Sequence, residues 1–185
     1  WDVGRTPQVV IAHGVIDHGQ CWRGDLARGI TVINHLGQRG SRLDADLFAQ
    51  AREQVPLDLL GMGSEALGGL GELPLRQVPD LCARYRFFFH PVRYTSLGLG
   101  LLEAMMLGMP VVALGTTETP KVIAHRVSGF IDTNPSKLID CMRELLKDER
   151  LAASIGRQAR RYAVEHHSIK RFVADWNRAL IRVVG

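Results

Sequence analysis

The segment RFFFHPVRYTSLGLGLLEAMMLGMPVVALG, residues 86–115, constrains this chain more than any other. It sets two short apolar runs, RFFFH at 86–90 and PVVAL at 110–114, on either side of a helical stretch at 99–107. A strand that is apolar at every position needs cover on both faces, and a helix between two such strands returns the chain so that they lie parallel. The same alternation runs through the rest. Residues 8–12 (QVVIA) read as an entry strand followed by a long connection, and residues 30–36 (ITVINHL), bounded by Gly29 and Gly37, as a strand. Asp44 then caps a helix with Leu47, Phe48 and Ala51 on one face, residues 57–60 give a further strand, and 78–85 a short helix. Residues 129–131 form a last short strand. Behind it lie three helical stripes: Leu138, Cys141, Met142 and Leu145 after an Asn134–Pro135 start; Leu151, Ile155, Ala159 and Tyr162; and Ile169, Phe172, Val173, Trp176 and Leu180 behind Ser168. The expected fold is a single α/β domain, a Rossmann-like doubly wound parallel sheet with C-terminal helices. Residues 1–28 form its hinge and entry segment, 29–132 its core and 133–185 a helical tail.

Composition narrows the function. With 23 Lys+Arg against 19 Asp+Glu in 185 residues the net charge is +4, and the charges are interspersed. That suits a phosphate-bearing ligand better than a nucleic-acid groove. The three cysteines, Cys21, Cys82 and Cys141, are odd in number and share no C-x-x-C spacing, which points to reduced thiols in a cytoplasmic protein without a metal framework. His166 and His167 are adjacent and diverge by about 100° on one helix, so they do not chelate together. The apolar stretch 97–115 carries Glu103 and Pro110, against a membrane span. The basic residues of the last helices read as a solvated face, with peripheral contact to an anionic membrane as the minor alternative. The sequence opens on Trp1 without signal-peptide anatomy, and the expectation is that it starts inside a longer protein.

In an open parallel sheet ligands bind at the carboxyl ends of the strands, where helix N-termini offer unpaired N–H groups. Two loops there carry candidates. GQRGSR at 37–42 supplies Arg39 and Arg42 as diphosphate ligands, with two solvated loop arginines as the competing reading. TSLGLG at 95–100 leaves little bulk over the start of the next helix, so an anion could rest on its N–H groups. Glu103, a carboxylate in an apolar helix, needs donors: sugar hydroxyls in one reading, an arginine such as Arg93 in the other. His13, His35 and His90 fall at expected strand ends, with a place facing the cleft as one reading and a hydrogen-bonded structural histidine as the commoner one. No G-x-G-x-x-G follows the first strand, which disfavours a dinucleotide-binding oxidoreductase.

The stretch HPVRYTSLGLGLLEAMMLGMPVVALGTTETPKVIAHRVSGFI, residues 90–131, resembles the donor-binding segment of the family 4 retaining glycosyltransferases, which have the two-domain GT-B fold. HGV at 13–15 resembles that family's hinge, LGE at 70–72 its turn before the donor loop, and residues 168–176 its closing helices. The resemblance implies one half of a GT-B fold: a C-terminal domain that binds a nucleotide-diphosphate sugar for retaining hexosyl transfer. The acceptor would be held by an absent N-terminal domain, so the chain alone is expected to be weakly active or inactive. It also implies that Glu103 binds the ribose, that Arg39 and Arg42 neutralise the diphosphate, that Gly98 and Leu99 hold phosphate oxygens, and that Ser96 and Leu97 lie near the sugar. No metal or other cofactor is expected, and no catalytic residue is assigned. The chain departs from the family at Thr95, where a sugar-contacting glutamate is usual, and at Thr117 to Lys121, where two glycines and Pro-Glu are common. These departures keep open a non-catalytic nucleotide-sugar-binding or interaction module.

Overall fold

A computed structural model describes residue 4 and residues 8–19 and 21–184. Five parallel strands form one sheet in the order β2-β1-β3-β4-β5: β1 (Leu26–Val32), β2 (Leu57–Leu60), β3 (Tyr85–His90), β4 (Val111–Leu114) and β5 (Phe130–Asp132). Among the described residues seven helices accompany them: α1 (Ala45–Arg52), α2 (Val78–Cys82), α3 (Leu99–Leu107), α4 (Thr119–Val122), α5 (Pro135–Lys147), α6 (Glu149–His167) and α7 (Ile169–Val184). This is the Rossmann-like doubly wound fold expected from the alternation of strands and helices.

Strand β3 is buried along its whole length, and its alternation sends Phe87 and Phe89 to one face and Phe88 to the other. Phe87 and Phe89 join Leu47 and Phe48 of α1 and Leu138, Met142 and Leu145 of α5. Phe88 joins Leu101, Leu102 and Met105 of α3. Each phenylalanine contributes roughly 1.5–3 kcal/mol by leaving water. Helix α6 serves both clusters, with Ala152 and Ile155 against the first and Ala159 and Ala163 against the second. It crosses α3 at a glycine pair. Gly108, at φ 83°, ends α3, and a Cβ on Gly156 would come within 2.1 Å of the Gly108 carbonyl oxygen. Only a hydrogen at residue 156 permits that approach.

The local signals for helix starts hold where they were strongest. The Asp44 carboxylate accepts from the Leu47 amide at 3.2 Å, Asn134 from Ser136 at 2.9 Å, and Pro135 opens α5. Other expectations are corrected. Residues 8–12 form no strand, because no neighbouring strand offers them an edge; the segment they open meets the C-terminal helices instead, through the bridge of Val15 to Ser168 and the Ala12 and His13 carbonyls that accept from Arg171. The strand expected at 30–36 spans Leu26–Val32, since its partners Leu57 to Leu60 and Tyr85 to Phe88 pull the register toward the amino end, and His35 turns left-handed at φ 56°. The helix expected at 78–85 stops at Cys82, where Tyr85 enters the sheet. Helix α4 was not anticipated. Among the described residues no helix is long and apolar enough to cross a membrane, and all three cysteines are free.

Two substitutions test this packing. Gly156→Ala is expected to destabilise the chain by about 1–3 kcal/mol through overpacking of the α3–α6 crossing, read from the urea midpoint. Asp44→Ala removes the α1 cap, at about 1 kcal/mol, together with the carboxylate that Arg93 grips at 3.0 and 2.5 Å. Its urea midpoint should fall while Asp46→Ala, in the same first turn but exposed, leaves the midpoint within error.

Candidate functional site

Strand β1 hands the chain leftward to β2 and strand β3 rightward to β4, so the connections part between the carboxyl ends of β1 and β3. A doubly wound sheet opens its crevice at such a point. Both predicted loops are there. Arg42 donates from Nε to the Tyr94 carbonyl at 3.1 Å, and its own carbonyl accepts from the amides of Arg93 and Tyr94 at 3.1 and 3.2 Å. The 40–42 turn and the loop before α3 are therefore tied together. Arg39 is exposed between two short 3-10 turns, with no side-chain hydrogen bond among the described residues. Thr95 and Leu97 are half-buried, Ser96 and Leu99 exposed.

Gly98 is the N-cap of α3, extended at φ −73° and ψ 126°, and no side chain caps that helix. Its first-turn amides are available to a ligand. The reason residue 98 lacks a side chain lies beneath it: a Cβ there would stand 2.6 Å from Cε1 of His90. His90 ends β3, is 5% exposed, and its Nε2 has no hydrogen-bond partner among the described residues. Burial pushes its pKa down to about 4, so the imidazole is neutral at pH 7. Of the other two strand-end histidines, His35 is half-buried with an unpartnered Nδ1, and His13 is exposed on a segment that is not a strand.

Behind α3's first turn a cavity of about 390 Å³ opens. Its floor is α3 itself, through Gly100, Glu103, Ala104 and Leu107, with Val32 of β1 and Phe88 of β3. One wall is Leu75, Arg76, Val78, Pro79 and Cys82; the other is Ile16 and His18. The lining is mostly apolar. Glu103 is reached by solvent through the cavity, yet desolvation raises its carboxyl above the ordinary value and His18 works in the opposite direction. Burial also pushes the Cys82 thiol up to about 12, which leaves it protonated and unreactive. Arg93 is not the partner of Glu103: it is committed to Asp44, and its carbonyl accepts from Thr116 Oγ1 at 2.8 Å. That structural alternative for Glu103 is thereby removed.

The structure thus gathers Arg42, Thr95 to Leu99 and Glu103 around one helix start, with Arg39 at the edge. The sequence reading missed both cavity walls. The His13 to Val15 hinge resemblance stopped one residue short of Ile16, and residues 78–85 read only as a short helix. No group of three or more His, Cys, Asp or Glu among the described residues is placed to hold a metal ion.

The buried neutral His90 has a consequence for stability. Its folded pKa lies below the value of 6.5 that the unfolded chain would show, so the unfolded state binds more protons between the two. Stability should fall as pH drops from about 6.5 to 4. A His90→Gln variant should show a flatter urea midpoint across that window than wild type.

The sequence model of the family described as glycosyl transferases group 1 matches residues 64–162. The O-antigen chain mannosyltransferase B of Escherichia coli is 43% identical over 54 residues, covering 29% of this chain and 14% of that protein. Among solved structures, a mutant form of TarM of S. aureus, in complex with fondaparinux, α-GlcNAc-glycerol and UDP, superposes with a TM-score of 0.77 at 17% identity, covering 96% of this chain and 40% of that one. HepE of Anabaena, in complex with UDP and glucose, superposes at 0.68 with 19% identity, covering 82% and 47%. These likenesses show the fold. The chain spans between 14% and 32% of the length of the curated relatives it matches. Because the family match takes in more than half of its residues, including α3, Glu103 and the α2 wall, the chain belongs to the glycosyl transferases group 1 family.

Proposed function

We propose that this chain is the nucleotide-sugar-binding domain of a retaining glycosyltransferase of the hexosyl class, acting in the cytoplasm. The observation that carries the reading is the apolar 390 Å³ cavity floored by α3, with Glu103 in that floor and the uncapped start of the same helix beside it. A nucleoside has those two needs: an apolar slot for the base and an acceptor for the ribose hydroxyls, which Glu103 supplies. The diphosphate then reaches the first-turn amides of Gly98 and Leu99. Arg39 and the Nη groups of Arg42 add positive charge without a metal or other cofactor. The sugar falls toward Thr95, Ser96 and Leu97. Both structural neighbours described above hold UDP, which supports a nucleoside diphosphate as the ligand class.

In this reading the domain accelerates transfer by holding the donor and stabilising the departing diphosphate, while the acceptor hydroxyl comes from a second, N-terminal domain. His90 supports the phosphate end as a neutral side chain under Gly98. Charging it there would need a proton in a site that burial disfavours. A second reading, a non-catalytic nucleotide-sugar-binding module, rests on Thr95 and Lys121 standing where family members commonly have glutamates. Thr95→Glu separates the two: gained sugar-dependent binding favours the module, and impaired donor use favours a working variant site.

Calorimetric titration of the 185-residue chain with UDP, GDP, ADP and TDP tests the proposal. One nucleotide is expected to bind, and Glu103→Ala to weaken it at least tenfold, about 1.4 kcal/mol. Absence of binding by all four at millimolar concentration would overturn it. Arg39→Ala and Arg42→Ala should weaken the diphosphate and leave the nucleoside alone unaffected.

A further inference from the structure

We infer that Arg160 is a positioning residue for the cavity, through an ion pair with Asp17 that fixes residues 16–19 as its second wall. The inference rests on the nucleotide reading above. Ile16 and His18 line the cavity, yet they belong to a segment outside the sheet and its crossover helices. Ile16 is 62% exposed, an apolar side chain left open beside an apolar cavity. Such a segment needs an external anchor to present a defined surface.

The anchor is built from the C-terminal helices. Nη1 and Nη2 of Arg160, on α6, donate to the two oxygens of Asp17 at 2.9 and 3.0 Å, a fork-on-fork pair. The same Nη1 donates to the Met106 carbonyl of α3. One guanidinium therefore joins the 16–19 wall to the helix that forms the floor and carries Glu103. Asp17 in turn accepts from the Gly19 amide at 2.8 Å, which closes the turn with His18 at its tip. On the near side of that turn, Val15 donates from its amide to the His167 carbonyl at 2.8 Å, and His167 Nδ1 meets the His13 carbonyl at 3.0 Å. On the far side, the Trp22 amide donates to Leu107 of α3 at 3.2 Å. Between these two fixed points the Asp17–Arg160 pair is, among the described residues, the side-chain tie to the helices. Neither Asp17 nor Arg160 is among the residues lining the cavity. The Asp17 pair thus acts on a ligand through Ile16 and His18. Lysine in place of Arg160 keeps a charge but cannot hold two carboxylate oxygens and the Met106 carbonyl at once.

The test is a thermodynamic cycle in the 185-residue chain, with the four nucleoside diphosphates as titrants. Arg160→Met keeps the aliphatic stem and removes all three hydrogen bonds; Asp17→Asn is the milder variant should the first not fold. Either should weaken the bound nucleotide about tenfold, with Arg160→Lys restoring part of it. In a background carrying Ile16→Ala and His18→Ala the same change should have less than about a twofold effect, because the surface it positions is gone. A loss of equal size in that background, or none in wild type, would overturn the inference. Amide hydrogen exchange of residues 15–22 reads the same claim without nucleotide. Faster exchange in Arg160→Met supports it and unchanged exchange refutes it, even where no nucleotide binds and the binding proposal itself has failed.

Discussion

Burial of β3 on both faces is the constraint from which the rest of this structure follows. A six-residue strand that carries three consecutive phenylalanines has no face to offer water, so helices must cover both. The connections that supply them put α1 and α5 on one side and α3 on the other. Crossovers on opposite sides then require the chain to part somewhere along the sheet. It parts between β1 and β3, the strand pair at the centre, and there the cavity and the start of α3 meet. The cavity is in this sense a by-product of covering one apolar strand.

Helix α3 bears two demands at once. Its inward residues, Leu101, Leu102, Met105 and Met106, are fully buried, and it passes α6 at backbone contact distance at Gly108 and Gly156. That packing holds the helix rigidly, which is what a site built on its N-terminus and on Glu103 needs. The glycine at its cap serves the same end from the other direction, by letting a neutral histidine fill the space below. An uncapped helix start, a buried histidine without a partner for Nε2 and a carboxyl raised by desolvation are each unfavourable for the folded chain taken alone. All three lie at or beside the first two turns of α3, where the proposed ligand would offset them.

The extent to which this was legible depended on how local each signal was. Residues 99–107 were delimited to the residue, because Gly98 and Gly108 punctuate an apolar run whose helical character nothing contests. Asp44 and Asn134 were identified as caps by side chains that bond within three residues. Residues 8–12 misled, because a β-branched apolar run is a strand only when another strand is placed to receive it, and none is. The β1 boundary slipped for a related reason: Asn34 and His35 continue the pattern in sequence, whereas the chain turns once the pairing with Leu60 ends. Arg93 was assigned to Glu103 as an alternative partner on proximity in sequence, and the fold gave it Asp44, 49 positions away.

What the sequence determined by itself was therefore the alternation of buried strands and amphipathic helices, the starts of α1 and α5 and both ends of α3, and the grouping of Arg42, Thr95 to Leu99 and Glu103 at the strand ends. All of these follow from periodicity, capping and the rule that parallel sheets bind at their carboxyl edge. Only the tertiary structure decided that Ile16 and His18 face Leu75 and Arg76 across Glu103, and that α6 ties that wall through Arg160 and Asp17, 143 residues apart. No periodicity encodes such a pairing. It exists because α6, drawn over both apolar clusters to cover them, brings a guanidinium to the one place where the entry segment and the end of α3 come together.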